Sequence, residues 1–191
     1  NLASDGTRTF EWDARNQLLA ASAGTLRSEW AHDGLQQRAR IIRKDNGVVQ
    51  SEARLVWCAA HICEERAADG TTLLRRTFAD GHQTPSQDRF LTSDHLGSVV
   101  AAVDDASSLL GRYEYDSWGR RSLTAGSDVT PFGFTGHQWD DIAQVWMAQY
   151  RSYDPGMGRW TSQDPAGMVD GPNTYAYVRN APTVLTDLKG L

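Results

Sequence analysis

Large apolar side chains in this chain fall at alternate positions within short runs bounded by turn formers. Phe10 and Trp12 are one such pair, and Tyr113 and Tyr115 are another. A period of two places both rings of a pair on one face of a β-strand. Each pair opens a recurring unit: an aromatic, one or two spacers, an aspartate, two residues, then glycine or a polar turn former. The clearest copies are Phe10-Glu11-Trp12-Asp13-Ala14-Arg15-Asn16 and Tyr113-Glu114-Tyr115-Asp116-Ser117-Trp118-Gly119. Looser copies are Trp30-Ala31-His32-Asp33-Gly34 and Thr92-Ser93-Asp94-His95-Leu96-Gly97. Asp13 and Asp33 are 20 residues apart and Asp94 and Asp116 are 22 apart, which suits two strands and two turns per unit. Within the unit the aspartate can fold its carboxylate onto nearby backbone N–H groups, while glycine or asparagine takes the positive φ of the turn. Hairpins of this kind stack edge to edge, each covering the face its neighbour exposes.

Between these units the pattern predicts strands over residues 54–57, 62–66, 73–78, 90–93 and 98–103, with turns at 68–71 and 104–107. Residues 84–87 and 124–127 read as surface loops. Only residues 140–146 offer a helix, and a hairpin entering a strand over 145–150 fits them equally well. No stretch reads as a flexible linker.

At 191 residues with 40% hydrophobic composition, the chain can bury a real core. The 19 basic and 24 acidic side chains give a net charge of −5 and are dispersed, so no basic face tracks phosphates and nucleic acid is not an expected partner. No apolar run approaches the ~20 residues that span a bilayer. Asn1-Leu2-Ala3-Ser4-Asp5 lacks the basic start and apolar stretch of a signal peptide, and Asn1 is not an initiator methionine. The expectation is an internal piece of a longer protein.

Cys58 and Cys63 flank a short Ala-Ala-His linker between apolar residues. A hairpin there could bring the thiols opposite each other and permit a disulfide in an exported protein; two small buried hydrophobes are the alternative. Five dispersed histidines show no metal-ligand spacing, and neither a serine-nucleophile elbow nor a glycine-rich phosphate loop is present. No metal or cofactor is expected. The seven tryptophans sit at spaced strand positions that suit core packing.

Three segments carry a resemblance. One pairs Asp94-His95-Leu96-Gly97-Ser98-Val99 with the unit at 113–120; a second runs from Pro131-Phe132-Gly133-Phe134 to Tyr153-Asp154-Pro155. The third runs from Gly158-Arg159-Trp160 to Leu191 and includes Asn173-Thr174-Tyr175-Ala176-Tyr177-Val178-Arg179-Asn180-Ala181-Pro182. Together they cover about half the chain and resemble the Rhs/YD-repeat family, found in polymorphic toxins and in the C components of Tc toxins. The resemblance implies an all-β fold of antiparallel hairpins forming part of a spiral β-shell closed by a C-terminal plug. Residues 1–130 would be the shell segment and 131–191 the core. Since 191 residues are too few to enclose a folded cargo, the expected partners are the remainder of the shell or further copies. A C-terminal toxin domain of the same protein, and the secretion apparatus that exports it, would be the others.

In that family the core cuts its own chain after an Asp-Pro-x-Gly-Leu motif, with two aspartates acting in the manner of an aspartic protease. Carried onto this sequence, the aspartates are Asp164 and Asp187 and the cut follows Leu191. Two carboxylates about 3 Å apart would share a proton, the ionised one activating water and the protonated one polarising the scissile carbonyl. Asp170 is a reserve for either position. Leu188 stands where the motif has proline, and Gln163 stands where many relatives have arginine. Arg159 and Arg179 are the candidates to supply the missing charge. The competing expectation is a structural or adhesive surface module in which Asp164 and Asp187 only cap turns.

Overall fold

The alternating runs become strands in the computed structural model, which describes residues 1–169 and 171–191. Twelve strands pair antiparallel in chain order as one meander. They are β1 (Arg8–Trp12), β2 (Leu18–Ala23), β3 (Leu26–His32), β4 (Arg38–Asp45), β5 (Val48–Cys58), β6 (His61–Ala67), β7 (Leu73–Phe78), β8 (Gly81–Gln83), β9 (Asp88–Ser93), β10 (Val99–Val103), β11 (Leu109–Tyr115) and β12 (Arg121–Gly126). A second antiparallel sheet holds β13 (Gln138–Asp140), β14 (Val145–Met147), β15 (Ser152–Asp154) and β16 (Arg159–Trp160). The fold is all-β, as the pattern and the family resemblance imply.

The aspartate turn recurs with one geometry. In five turns, headed by Asp13, Asp33, Asp94, Asp104 and Asp116, Oδ1 accepts the N–H groups two and four residues on, at 2.8–3.0 Å. The third residue after each aspartate is left-handed: Asn16, Gln36, Gly97, Ser107 and Gly119. In the Asp33 turn it is therefore Gln36 and not Gly34 that reverses the chain. Gly119 is needed for a further reason, since a Cβ there would lie 2.5 Å from the Phe134 ring.

The core sits where the small sheet meets the large one. Phe10, Leu18, Trp30, Ile41, Leu55 and Ile62 from the first six strands pack with Ala143, Val145 and Met147. A second cluster inside the C-terminal part joins Phe134, Trp146, Tyr153, Trp160 and Tyr177, with the Tyr153 and Tyr177 rings 4.2 Å apart. Polar pins fix the two sheets together. Arg8 pairs with the buried carboxylate of Asp154 at 2.6 Å, Ser28 donates to Asp140 at 3.0 Å, and Trp146 Nε1 donates to the Gly119 carbonyl at 2.8 Å. Buried polar groups are stable only with such partners, so each pin also selects one docking position.

Residues 140–146 form a hairpin turn, not a helix. Asp140 Oδ1 accepts the N–H groups of Ile142 and Ala143, and Gln144 takes φ 51°. The strand expected over 145–150 stops at Met147, because Ala148 N–H donates to the Arg151 carbonyl and folds the chain back. That reversal puts Arg151 at the inner end of β15.

Candidate functional site

Arg151 is the centre of the site. Its side chain is 2% exposed and its guanidinium lies 4.3 Å from the Trp160 ring centroid. Nη2 reaches Asp164 Oδ2 at 3.0 Å and Asp187 Oδ2 at 3.2 Å, so two aspartates from separate loops meet on one nitrogen. Nε donates to the Gly190 carbonyl at 2.8 Å. Burial pulls the guanidinium below its usual pKa, and the two carboxylates oppose that pull. An arginine stays protonated in such a place because neutralising it would strand both acids.

Each aspartate also ties down its own chain. Asp164 Oδ1 accepts the Ala166 N–H at 2.7 Å, the capping expected of an Asp-Pro turn. Asp187 Oδ1 accepts the N–H groups of Gly190 at 2.8 Å and Leu191 at 3.2 Å. The turn after Asp187 thus closes without the family's proline, with Leu188 left exposed. Gly190 has φ +74°, which favours glycine, and approaches Arg151 closely enough that a Cβ would sit 3.1 Å from its backbone nitrogen, a tight contact. Beside this junction lies a cavity of about 340 Å³ lined by Arg151, Asp164, Thr174, Arg179, Asp187 and Leu191 among others.

Of the residues singled out from the sequence, Asp164, Asp187, Leu191 and Arg179 gather at this cavity. Arg179 stands in the middle of three successive left-handed residues, Val178, Arg179 and Asn180, at φ 41°, 55° and 61°. Non-glycine residues hold such angles only where the surroundings over-determine them. Arg159 lies elsewhere: it pairs with Asp154 across β15 and β16 and stacks on the Tyr175 ring at 4.4 Å. Asp170, the reserve acid, lies outside the described residues. The cation between the acids is Arg151, which the sequence pattern did not single out. Nothing local marks it, for its partners lie 13 and 36 positions away in the chain.

Cys58 and Cys63, which do not line this cavity, form a disulfide with Cα atoms 5.7 Å apart. The thiols are not directly opposed, since Cys58 pairs with His61 and Cys63 is the extra residue of a bulge between the Val56–Glu64 and Trp57–Ile62 pairs.

A family profile described as Teneurin YD-shell matches residues 2–182. Toxin protein Tse5 of Pseudomonas aeruginosa is 28% identical over an alignment that covers all of this chain and 18% of that protein. tRNA nuclease WapA of Bacillus subtilis is 27% identical over all of this chain and 9% of its own length. The chain thus spans under a fifth of either relative. Among solved structures, a crystal structure of TcdB2-TccC3-Cdc42 superposes with a TM-score of 0.78 at 22% identity, covering 97% of this chain and 10% of that one. The strand meander, the aspartate turns and these matches agree: the chain belongs to the Teneurin YD-shell family and carries the Rhs/YD-repeat shell fold of toxin-bearing proteins.

Proposed function

We propose that this chain is the closing end of a toxin-enclosing shell and that Asp164 and Asp187 cut the polypeptide after Leu191, freeing a C-terminal toxin domain. The observation that carries this reading is the meeting of the two acids on Arg151 beside Leu191. Asp187 holds the N–H groups of Gly190 and Leu191 and so orients the peptide to be cut. Asp164, with fewer backbone ties, takes a proton from water as the water oxygen attacks the Leu191 carbonyl carbon. Arg151 steadies the negative charge that develops on the carbonyl oxygen. Collapse of the intermediate breaks the C–N bond, and the proton held by Asp164 passes to the departing amine. Because substrate and catalyst share one chain, a single slow turnover suffices. The rest of the shell, the cargo and an export apparatus are the partners this function requires, and the whole protein would act outside the cell that makes it. No helix among the described residues is long and apolar enough to cross a membrane.

A second reading rests on the same geometry. Asp164 and Asp187 each cap a turn, and Arg151 ties those turns together, which is all that a non-catalytic structural or adhesive shell module needs. The two readings separate on a fusion that carries a folded reporter after Leu191. Fragmentation of the parent, mapped by mass spectrometry to the bond after Leu191 and absent from both Asp164→Asn and Asp187→Asn, supports cutting. An intact parent, or cutting that survives both substitutions, refutes it.

A further inference from the structure

A second, larger cavity of about 690 Å³ lies between the middle strands of the large sheet and the C-terminal part. Trp57, Ile62, Leu91, Val99, Phe132 and Met147 make it chiefly apolar, and its size is that of a small-molecule site. Its charge is one-sided. Arg38 and Lys189 are the cations that line it, and no lining residue is acidic.

Arg38 is the unusual member. It is 3% exposed, and among the described residues no carboxylate lies within ion-pair distance of it. It donates to the carbonyls of Ala148 and Met147 and stands over the Trp57 ring, while Nε has no hydrogen-bond partner. A buried cation held by carbonyls and a ring face, with Asp140 acting on it only from beyond ion-pair distance, is costly, and an anion at the guanidinium would offset that cost. Gln138 Oε1 and Gln149 Oε1 on the same lining also lack partners, but as acceptors they call for a donor such as water and not for an anion. His137 Nδ1 is taken by Thr135 Oγ1 at 2.8 Å, and the carbonyls of Leu188 and Asp187 also act on the ring, so His137 belongs to the wall and Arg38 is the group left to a ligand. Lys189 and His61 are exposed and mark the mouth.

We propose that this cavity binds a small amphipathic carboxylate, its apolar body against Trp57, Leu91 and Phe132 and its head at Arg38. Few donors remain free at the inner end, which suits the two oxygens of a carboxylate better than a phosphate. Leu188 and Lys189 form part of the wall, so an occupant would also touch the segment that follows Asp187.

The test is calorimetric titration of the whole chain with decanoate, kept below its micellar concentration, against decanol as the uncharged control. Decanoate should bind one to one and raise the melting temperature, with decanol at least ~10-fold weaker. Arg38→Gln should weaken decanoate by ~10-fold or more while leaving decanol unchanged, and Arg76→Gln, on an exposed ion pair, should change neither. Should Arg38→Gln not fold, Lys189→Gln at the mouth and Ser93→Trp, which fills the cavity, decide the matter: both should lower decanoate affinity. Absence of saturable decanoate binding overturns the proposal. So does equal binding of decanol, or affinity indifferent to Lys189→Gln and Ser93→Trp.

Discussion

Replacing Arg151 with methionine isolates the electrostatic role of the junction. Methionine keeps an unbranched apolar stem against Trp160 and removes the charge. It leaves Asp164, 9% exposed, and Asp187, 19% exposed, facing each other with no cation between them, and the Gly190 carbonyl without its donor. Removing one partner of a buried ion pair costs about 3–5 kcal/mol, because the remaining charge stays buried and unpaired. Here two like charges remain side by side. The penalty should stand near the full ~3–5 kcal/mol at pH 7.5. Urea denaturation of parent and variant at that pH measures it. Adding Asp164→Asn and Asp187→Asn to the methionine variant should recover most of the loss at pH 7.5, since neutral amides repel less than ions. A penalty below ~1 kcal/mol, or one that the added amides do not reduce, would show that Arg151 does not hold the acids together.

Other expectations follow from single contacts. Gly190→Ala forces a Cβ into Arg151 and Ala148 at a left-handed φ, and should cost roughly 2 kcal/mol by the same denaturation assay; a neutral result would refute the close approach. Burial holds His82 and His137 down to about pKa 4, with Arg75 and Arg89 opposing the charge on one and Arg38 opposing it on the other. Between that value and the unfolded value near 6.5 the unfolded chain binds more protons, so stability should be intact above pH 6.5 and fall as the pH drops toward 4. The slope of stability against pH should be reduced in His82→Phe, and an unchanged slope would exclude this histidine as a contributor. Mutating both cysteines to serine opens a disulfide of sequence separation 5 and should cost about 2 kcal/mol by the chain-entropy relation. A melting temperature insensitive to that change and to reductant would mean the bridge does not form in solution.

Much of the fold could be read along the chain because its unit is local. An aspartate, two N–H groups within four residues and one left-handed position suffice to turn the strand, so Asp13, Asp94 and Asp116 declare their turns to any reader of the sequence. The Asp33 turn was legible by its aspartate but misleading in its glycine, since only the position three residues on needs positive φ. Residues 140–146 could not be decided from pattern, because the hairpin depends on Asp140, whose carboxylate is held by Ser28 from a distant strand. The site divides in the same way. Asp164 and Asp187 were found through motifs; Arg151 was not, because Arg159 and Arg179 lie as close in sequence to the acids and only packing distinguishes the three.

The sequence by itself determined an all-β chain of aspartate-turned hairpins, because those features depend on contacts a few residues long and on the two-residue period of a strand. The candidate acids toward the C-terminal end were reached only through the family resemblance. Tertiary structure alone decided that Arg151 stands between Asp164 and Asp187, that Arg159 stacks on Tyr175 instead, and that Arg38 is buried with no described acid within ion-pair distance. Each of those outcomes is set by how the small sheet docks inside the large one, where burial fixes which charges must meet and which are left to find a partner.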